Sequence, residues 1–244
     1  MERKIRVAAV DYLNTKPLIF GLERGIISLN IELILDNPSN VARMLINDKV
    51  DVGLVPVTCT PLLKNAHTIS DYCIGCDGEV SSVCIFSEVP MNEIETVLLD
   101  YQSNTSVALF RLLAKDHWKI SPMLAEGSPG YEKQITGTTA GLVIGDRALK
   151  QRNVSKYMYD LGSAWKDFTG LPFVFATWVS NKSLPGDFIA AFNASTSLGL
   201  RHLNEIVAAN PFAEFDLNDY YKNKIDFKFN DDKKKALQVF LNYL

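Results

Sequence analysis

The chain has 244 residues, enough for one large domain or two moderate ones, each with its own core. Its hydrophobic content of 47% is that of an ordinary globular protein, and a formal net charge of -3 argues against a nucleic-acid surface or a polybasic membrane patch. No apolar run approaches the roughly 20 residues of a membrane span. The start, MERKIRVAAVDYLNTKP, has its apolar run interrupted at Asp11 and Asn14, too soon for a secretory signal, so the expectation is a cytoplasmic protein.

Ile5 to Val10 reads as a strand buried on both faces. The polar turn Asp11 to Asn14 follows it, with Thr15 as a cap and Pro17 in the first turn of a helix ending near Gly25. Residues 30–36 (NIELILD) make a second strand, Asn37 to Asn40 open an amphipathic helix, and residues 50–57 (VDVGLVPV) are a third buried strand before a short helix at Thr58 to Leu63. After Gly78 and Glu79 comes VSSVCIFS, a strand with two hydroxyls near its start. From Glu95 a fresh series begins: ETVLLD as strand, Gln102 to Ser106 as turn, Val107 to His117 as helix, and Ala140 to Ile144 as strand. A helix through Leu149, the stretch Met158 to Leu161 and a loop carrying Trp165 and Phe168 come next, and then the strand LPFVFATWVS. Pro185 and Gly186 begin a long helix reaching about Ala209, and two more helical segments end the chain, with Asp231 to Lys235 as a solvated face.

This alternation predicts an α/β protein of two lobes with a ligand cleft between them. One lobe would comprise residues 1–86 and 180–244 and the other residues 87–179, with crossings near 82–88 and 177–185. Ligands of open parallel sheets bind at the carboxyl ends of the strands, where helix starts present free amides. Small hydrogen-bonding residues break the apolar pattern at such places: Asn14 and Thr15; Ser81 and Ser82; Ser103, Asn104, Thr105 and Ser106; and Thr169 with Gly170 in DFTGLP. Asp146 in GDRAL could accept a bond there as well. Each of these positions can also be read as a plain helix cap.

Of the three histidines, His67 falls on a loop, His117 ends a helix and His202 lies inside the C-terminal helix, so no histidine base is evident at a strand-end turn. No glycine-rich phosphate loop is present, and no His, Cys or carboxylate cluster has metal spacing. The four cysteines, Cys59, Cys73, Cys76 and Cys84, include one C-x-x-C, but they read as reduced, packed thiols.

The segments VDYLNTKPL (10–18), VDVGLVPV (50–57), DGEVSSV (77–83), SNTSVALFRLL (103–113), GLVIGDRAL (141–149) and DFTGLPFVFATW (167–178) resemble the chorismate dehydratase family of the futalosine route to menaquinone. The likeness runs over nearly the whole chain in the expected order. It implies a two-lobed type II periplasmic-binding-protein-like fold and a cytoplasmic hydro-lyase, monomeric or homodimeric. The implied reaction is loss of water from chorismate to give 3-[(1-carboxyvinyl)oxy]benzoate. It implies no metal or organic cofactor, with the substrate's own enolpyruvyl carboxylate as base, and it makes Asn14 and Ser82 the key polar residues. The remaining candidates would bind substrate. Two positions depart from the family pattern: Ser81 and Asn104 stand where several members have basic residues, and Lys16, Arg111 and Arg147 are candidates to replace that charge. Two other readings are carried forward, a sister enzyme making 1,4-dihydroxy-6-naphthoate with a histidine base, and a small-anion binding protein without chemistry.

Overall fold

A computed structural model describes residues 3–244. The chain divides into two compact units. The first runs to Gly75 and adds Val174–Pro211 and Asp226–Asp231; the second comprises Cys76–Phe173, Phe212–Ile225 and Asp232–Leu244. The chain therefore leaves the first unit at Gly75 and re-enters it at Val174, earlier than the expected crossings, and residues 76–86, 212–225 and 232–244 belong with the second unit. Among the described residues no helix is long and apolar enough to cross a membrane.

The sheet of the first unit has the order β2-β1-β3-β10-β4. It is built from β1 (Ile5–Val10), β2 (Ile31–Asp36), β3 (Val52–Pro56), β4 (His67–Cys76) and β10 (Phe173–Ser180). β1 runs parallel to both β2 and β3, and β10 pairs antiparallel with β3. The apolar run at Val7 to Val10 is buried because β1 is an interior strand covered on both faces. α1 (Lys16–Glu23) packs on α6 (Gly186–Arg201). Two glycines make that contact close. A Cβ on Gly199 would stand 1.8 Å from the Pro17 carbonyl oxygen, and one on Gly21 would stand 2.2 Å from that of Ser195. α2 (Pro38–Ile46) starts as its sequence dictates, with the Asn37 side chain accepting from the Asn40 amide and Pro38 in the first turn.

The second sheet has the order β7-β6-β8-β5-β9. It contains β5 (Val83–Ser87), β6 (Thr96–Leu99), β7 (Met123–Glu126), β8 (Thr139–Ile144) and β9 (Tyr157–Asp160). The plan repeats that of the first sheet: a parallel trio, β7-β6-β8, then an antiparallel strand, β5, and an edge strand. β5, expected as a crossing, lies wholly in this sheet. α3 (Asn104–Asp116), α4 (Gly145–Gln151), α5 (Leu161–Thr169), α8 (Leu217–Asp219) and α9 (Asp231–Leu241) complete the unit's helices.

Several sequence expectations are corrected. His67 begins the ten-residue β4 rather than lying on a loop. Trp165 and Phe168 lie on α5, not on a loop, and α3 starts at Asn104, inside the expected turn. The long helix after Pro185 breaks at His202, between α6 and α7 (Leu203–Ala209). The run from Asp231 to Lys235 is not solvated throughout, because Lys233 shares the buried face of α9 with Ala236, Leu237 and Phe240. All four cysteines are free and buried. Burial pushes the Cys59 thiol up to about 11 and raises those of Cys76 and Cys84 as well, so these are packed thiols.

Candidate functional site

In the first unit, β1 ends at Val10 and a 3-10 turn, Leu13–Thr15, delivers the chain into α1. No side chain caps either helix start, which leaves the polar atoms of this turn for other partners. Asn14 is half-buried, and its side-chain oxygen accepts from the buried Thr15 hydroxyl at 3.3 Å. Lys16, a candidate to supply charge, is paired with Asp11 at 2.8 Å.

The second unit holds the remaining candidates. Ser81 and Ser82 form a turn between Gly78 and the start of β5, both buried. Ser81 has φ +65°, a left-handed conformation unusual for a residue with a Cβ. The buried Asp160 carboxylate, at the end of the neighbouring strand β9, accepts from the amides of Ser81 at 2.7 Å, Val80 at 3.1 Å and Ser163 at 3.0 Å. The last of these bonds also caps α5. Burial raises the Asp160 pKa, against the lowering effect of these amides.

The Ser81 hydroxyl donates to Glu79 at 2.8 Å, and Glu79 in turn holds Arg152 at 2.9 Å and Lys224 at 2.7 Å. Burial would raise the Glu79 pKa, but Lys224, Ser81 and Arg152 together lower it. The Ser82 carbonyl accepts from the Gly145 amide at 2.8 Å. The buried Ser82 hydroxyl neighbours the Tyr220 hydroxyl and tempers the rise that burial imposes on that phenol. The Tyr220 side chain is fully buried there. Asp146, half-buried in the first turn of α4, lies near enough to Tyr220 and Tyr221 to help burial raise both phenols.

At the start of α3, Ser103 is the N-cap. Its hydroxyl accepts from the Ser106 amide at 3.2 Å and donates to the Ser106 hydroxyl at 2.9 Å. Thr105 and Ser106 are buried and Asn104 is exposed. The loop before this cap rests on Asp100, a buried carboxylate that accepts from Gln102, Tyr131 and Arg147. Burial raises the Asp100 pKa, opposed by Arg147. Arg147 is thus placed beside the α3 start, but its charge is met by Asp100 and Glu132, both at 2.7 Å.

Thr169 and Gly170 close the C-terminal end of α5. The Thr169 hydroxyl donates back to Trp165 and accepts from Leu171, while Gly170 takes the left-handed C-cap of α5 at φ +72°. A Cβ at Gly170 would meet nothing within 4 Å, so its glycine answers to backbone conformation, not to close approach. Sequence reasoning missed Asp160, Glu79 and Arg152. Asp160 carries a legible N-cap pattern, Asp-x-x-Ser, but nothing in the sequence ties it to Ser81. Glu79, Arg152 and Asp160 also line a cavity of about 490 Å³ with His117, Trp118 and Tyr159. Among the described residues no group of three or more His, Cys, Asp or Glu is placed to hold a metal ion.

Comparison with known proteins supplies the class first. Protein AF1704 from Archaeoglobus fulgidus superposes with a TM-score of 0.78 at 14% identity, covering 98% of this chain and 96% of that one. The alkanesulfonate-binding protein SsuA from Xanthomonas axonopodis pv. citri gives 0.68 at 11%, covering 99% and 92%. The chain has the α/β fold of periplasmic binding proteins, as expected from its sequence. The family profile for menaquinone biosynthesis matches residues 5–244, and the chain belongs to that family. It is also 27% identical to the chorismate dehydratase of Thermus thermophilus, over 80% of this chain and 82% of the relative. The resemblance carried by the six sequence segments is thereby borne out.

Proposed function

We propose that this protein is a chorismate dehydratase, a hydro-lyase that converts chorismate to 3-[(1-carboxyvinyl)oxy]benzoate and water on the way to menaquinone, in the cytoplasm. Family membership and the Thermus relative support the reaction. The observation that carries the site assignment is the Ser81–Ser82 turn, whose backbone is anchored on either side of the buried Ser82 hydroxyl.

The chemistry follows from the substrate. The ring proton beside the enolpyruvyl ether is vinylogous to the ring carboxylate, so its removal spreads negative charge onto that carboxylate. Uncharged donors suit such charge, and the start of α3 with Thr105 and Ser106 offers amides and hydroxyls of that kind. The proton passes to the substrate's enolpyruvyl carboxylate, held close by the ring itself. The neighbouring ring hydroxyl then departs with a proton as water, and the ring becomes aromatic. Asn14 and Ser82 orient the substrate and the leaving hydroxyl.

The sister reaction, with a histidine base, has less support. His117 caps the far end of α3, about 20 Å along the helix axis from Ser103 to Ser106. The test is turnover of chorismate by Asn14→Ala and Ser82→Ala. Each should lower kcat/KM by about a hundredfold with the thermal midpoint unchanged; wild-type rates in both variants would remove these residues from the site.

A further inference from the structure

Three main-chain groups and one side chain of the Ser81–Ser82 pair are tied down by neighbouring residues. The Ser81 amide is held by Asp160 at 2.7 Å, its carbonyl by Arg152 at 3.3 Å, its hydroxyl by Glu79 at 2.8 Å, and the Ser82 carbonyl by the Gly145 amide at 2.8 Å. Arg152 and Lys224 fix Glu79 in turn, so the ties form one network through two elements and a turn. The conformation they maintain, φ +65° at a buried serine, costs energy for any residue but glycine and persists only where its surroundings enforce it.

We propose that Asp160 is a positioning residue for the dehydration, with Glu79 and Arg152 as its partners: together they hold Ser81 left-handed and so aim the Ser82 hydroxyl. The inference rests on the reading of Ser82 as a site residue and adds groups that act through the turn. Asp160 suits the task because a carboxylate can accept several amides at once, and here it accepts from Val80, Ser81 and Ser163. The Ser81 side chain, expected to meet substrate, belongs to the same scaffold, since Glu79 takes its hydroxyl.

The test uses the full-length protein and a rescue that a merely stabilising residue would not show. Asp160→Asn puts an amide group against backbone N–H groups and should lower kcat/KM for chorismate by about ten- to a hundredfold. Ser81→Gly alone should stay within about threefold of wild type, because glycine adopts φ +65° without strain. In the Asp160→Asn background, Ser81→Gly should restore most of the loss while leaving the thermal midpoint where Asp160→Asn set it. Wild-type turnover in Asp160→Asn, or no restoration by Ser81→Gly, overturns the proposal. If Asp160→Asn does not fold, Arg152→Met replaces it with the same expectations and the same refutation, on a side chain only 19% exposed but at the rim of the network. A wild-type protein that leaves chorismate untouched refutes the proposed function instead. The clamp is then judged by a crystal structure of the variant, where Ser81 still at φ near +65° overturns it.

Discussion

Asp51 in the first unit and Asp160 in the second are both buried carboxylates with several donors, yet the donors differ in kind. Asp51 is ringed by charge: Arg3 at 2.9 Å, Arg6 at 3.0 Å and Lys182 at 2.5 Å, with the Arg6 amide at 2.8 Å. Burial would raise its pKa, but the hydrogen bonds from Arg6 and Lys182 outweigh that and hold it well below the usual carboxylate range. Asp160 is held by three amides, with no cation bonded to it among the described residues, and its pKa is raised. The contrast separates two uses of a buried acid. Cations around Asp51 tie the beginnings of β1 and β3 to the end of β10, which is a matter of stability, whereas amides around Asp160 set the backbone of a turn, which is a matter of geometry.

The sharpest way to break the contrast is Asp51→Asn. It should lower stability by about 2 kcal/mol, a value discounted for the exposure of Arg3 and Lys182, and denaturant unfolding would show it. Chorismate turnover should stay within about twofold, because Asp51 bonds Arg6 at the start of β1, about 16 Å along that strand from the Asp11 turn. A large loss of turnover with modest destabilisation would erase the distinction.

The pH dependence sharpens it further. A folded-state pKa below the unfolded value contributes stability above about pH 4, and that contribution is lost as pH falls. Wild-type stability should therefore drop on acidification, and Asp51→Asn should flatten that limb. Asp160 acts with the opposite sign: its raised pKa favours the fold at low pH, and the advantage fades as pH rises through the folded value.

A smaller effect separates the two hydroxyl clusters. The Ser103 and Ser106 side chains bond each other, so Ser103→Ala should cost about 1 kcal/mol as a lost cap. The smallest effect expected is on the cysteines. With four buried thiols, and that of Cys59 pushed up to about 11, the folded protein should resist alkylation at pH 8, measured by mass spectrometry.

How much of this the sequence revealed depended on whether the signal was local. The runs at Val7 to Val10 and in VGLVP read as buried strands because both faces are covered, and the Asn37–Pro38 helix start carries its own capping chemistry. The apolar spacing of Leu161, Ala164 and Trp165 is helical, but the polar Asp167, Thr169 and Gly170 that follow make the stretch read as a loop and hid α5. Lys233 was masked by its charged neighbours, although Ala236, Leu237 and Phe240 repeat its face. The candidate serines were visible as breaks in apolar runs. The groups that hold them were not: Asp160 meets Ser81 across 79 positions, and a carboxylate bonded mainly to amides leaves no charged partner to find.

The central claim is tested most directly by incubating the purified protein with chorismate alone and following the products by chromatography and mass. The account predicts that chorismate is replaced, one for one, by 3-[(1-carboxyvinyl)oxy]benzoate, lighter by one water. Chorismate recovered unchanged, or converted to any other product, would contradict it.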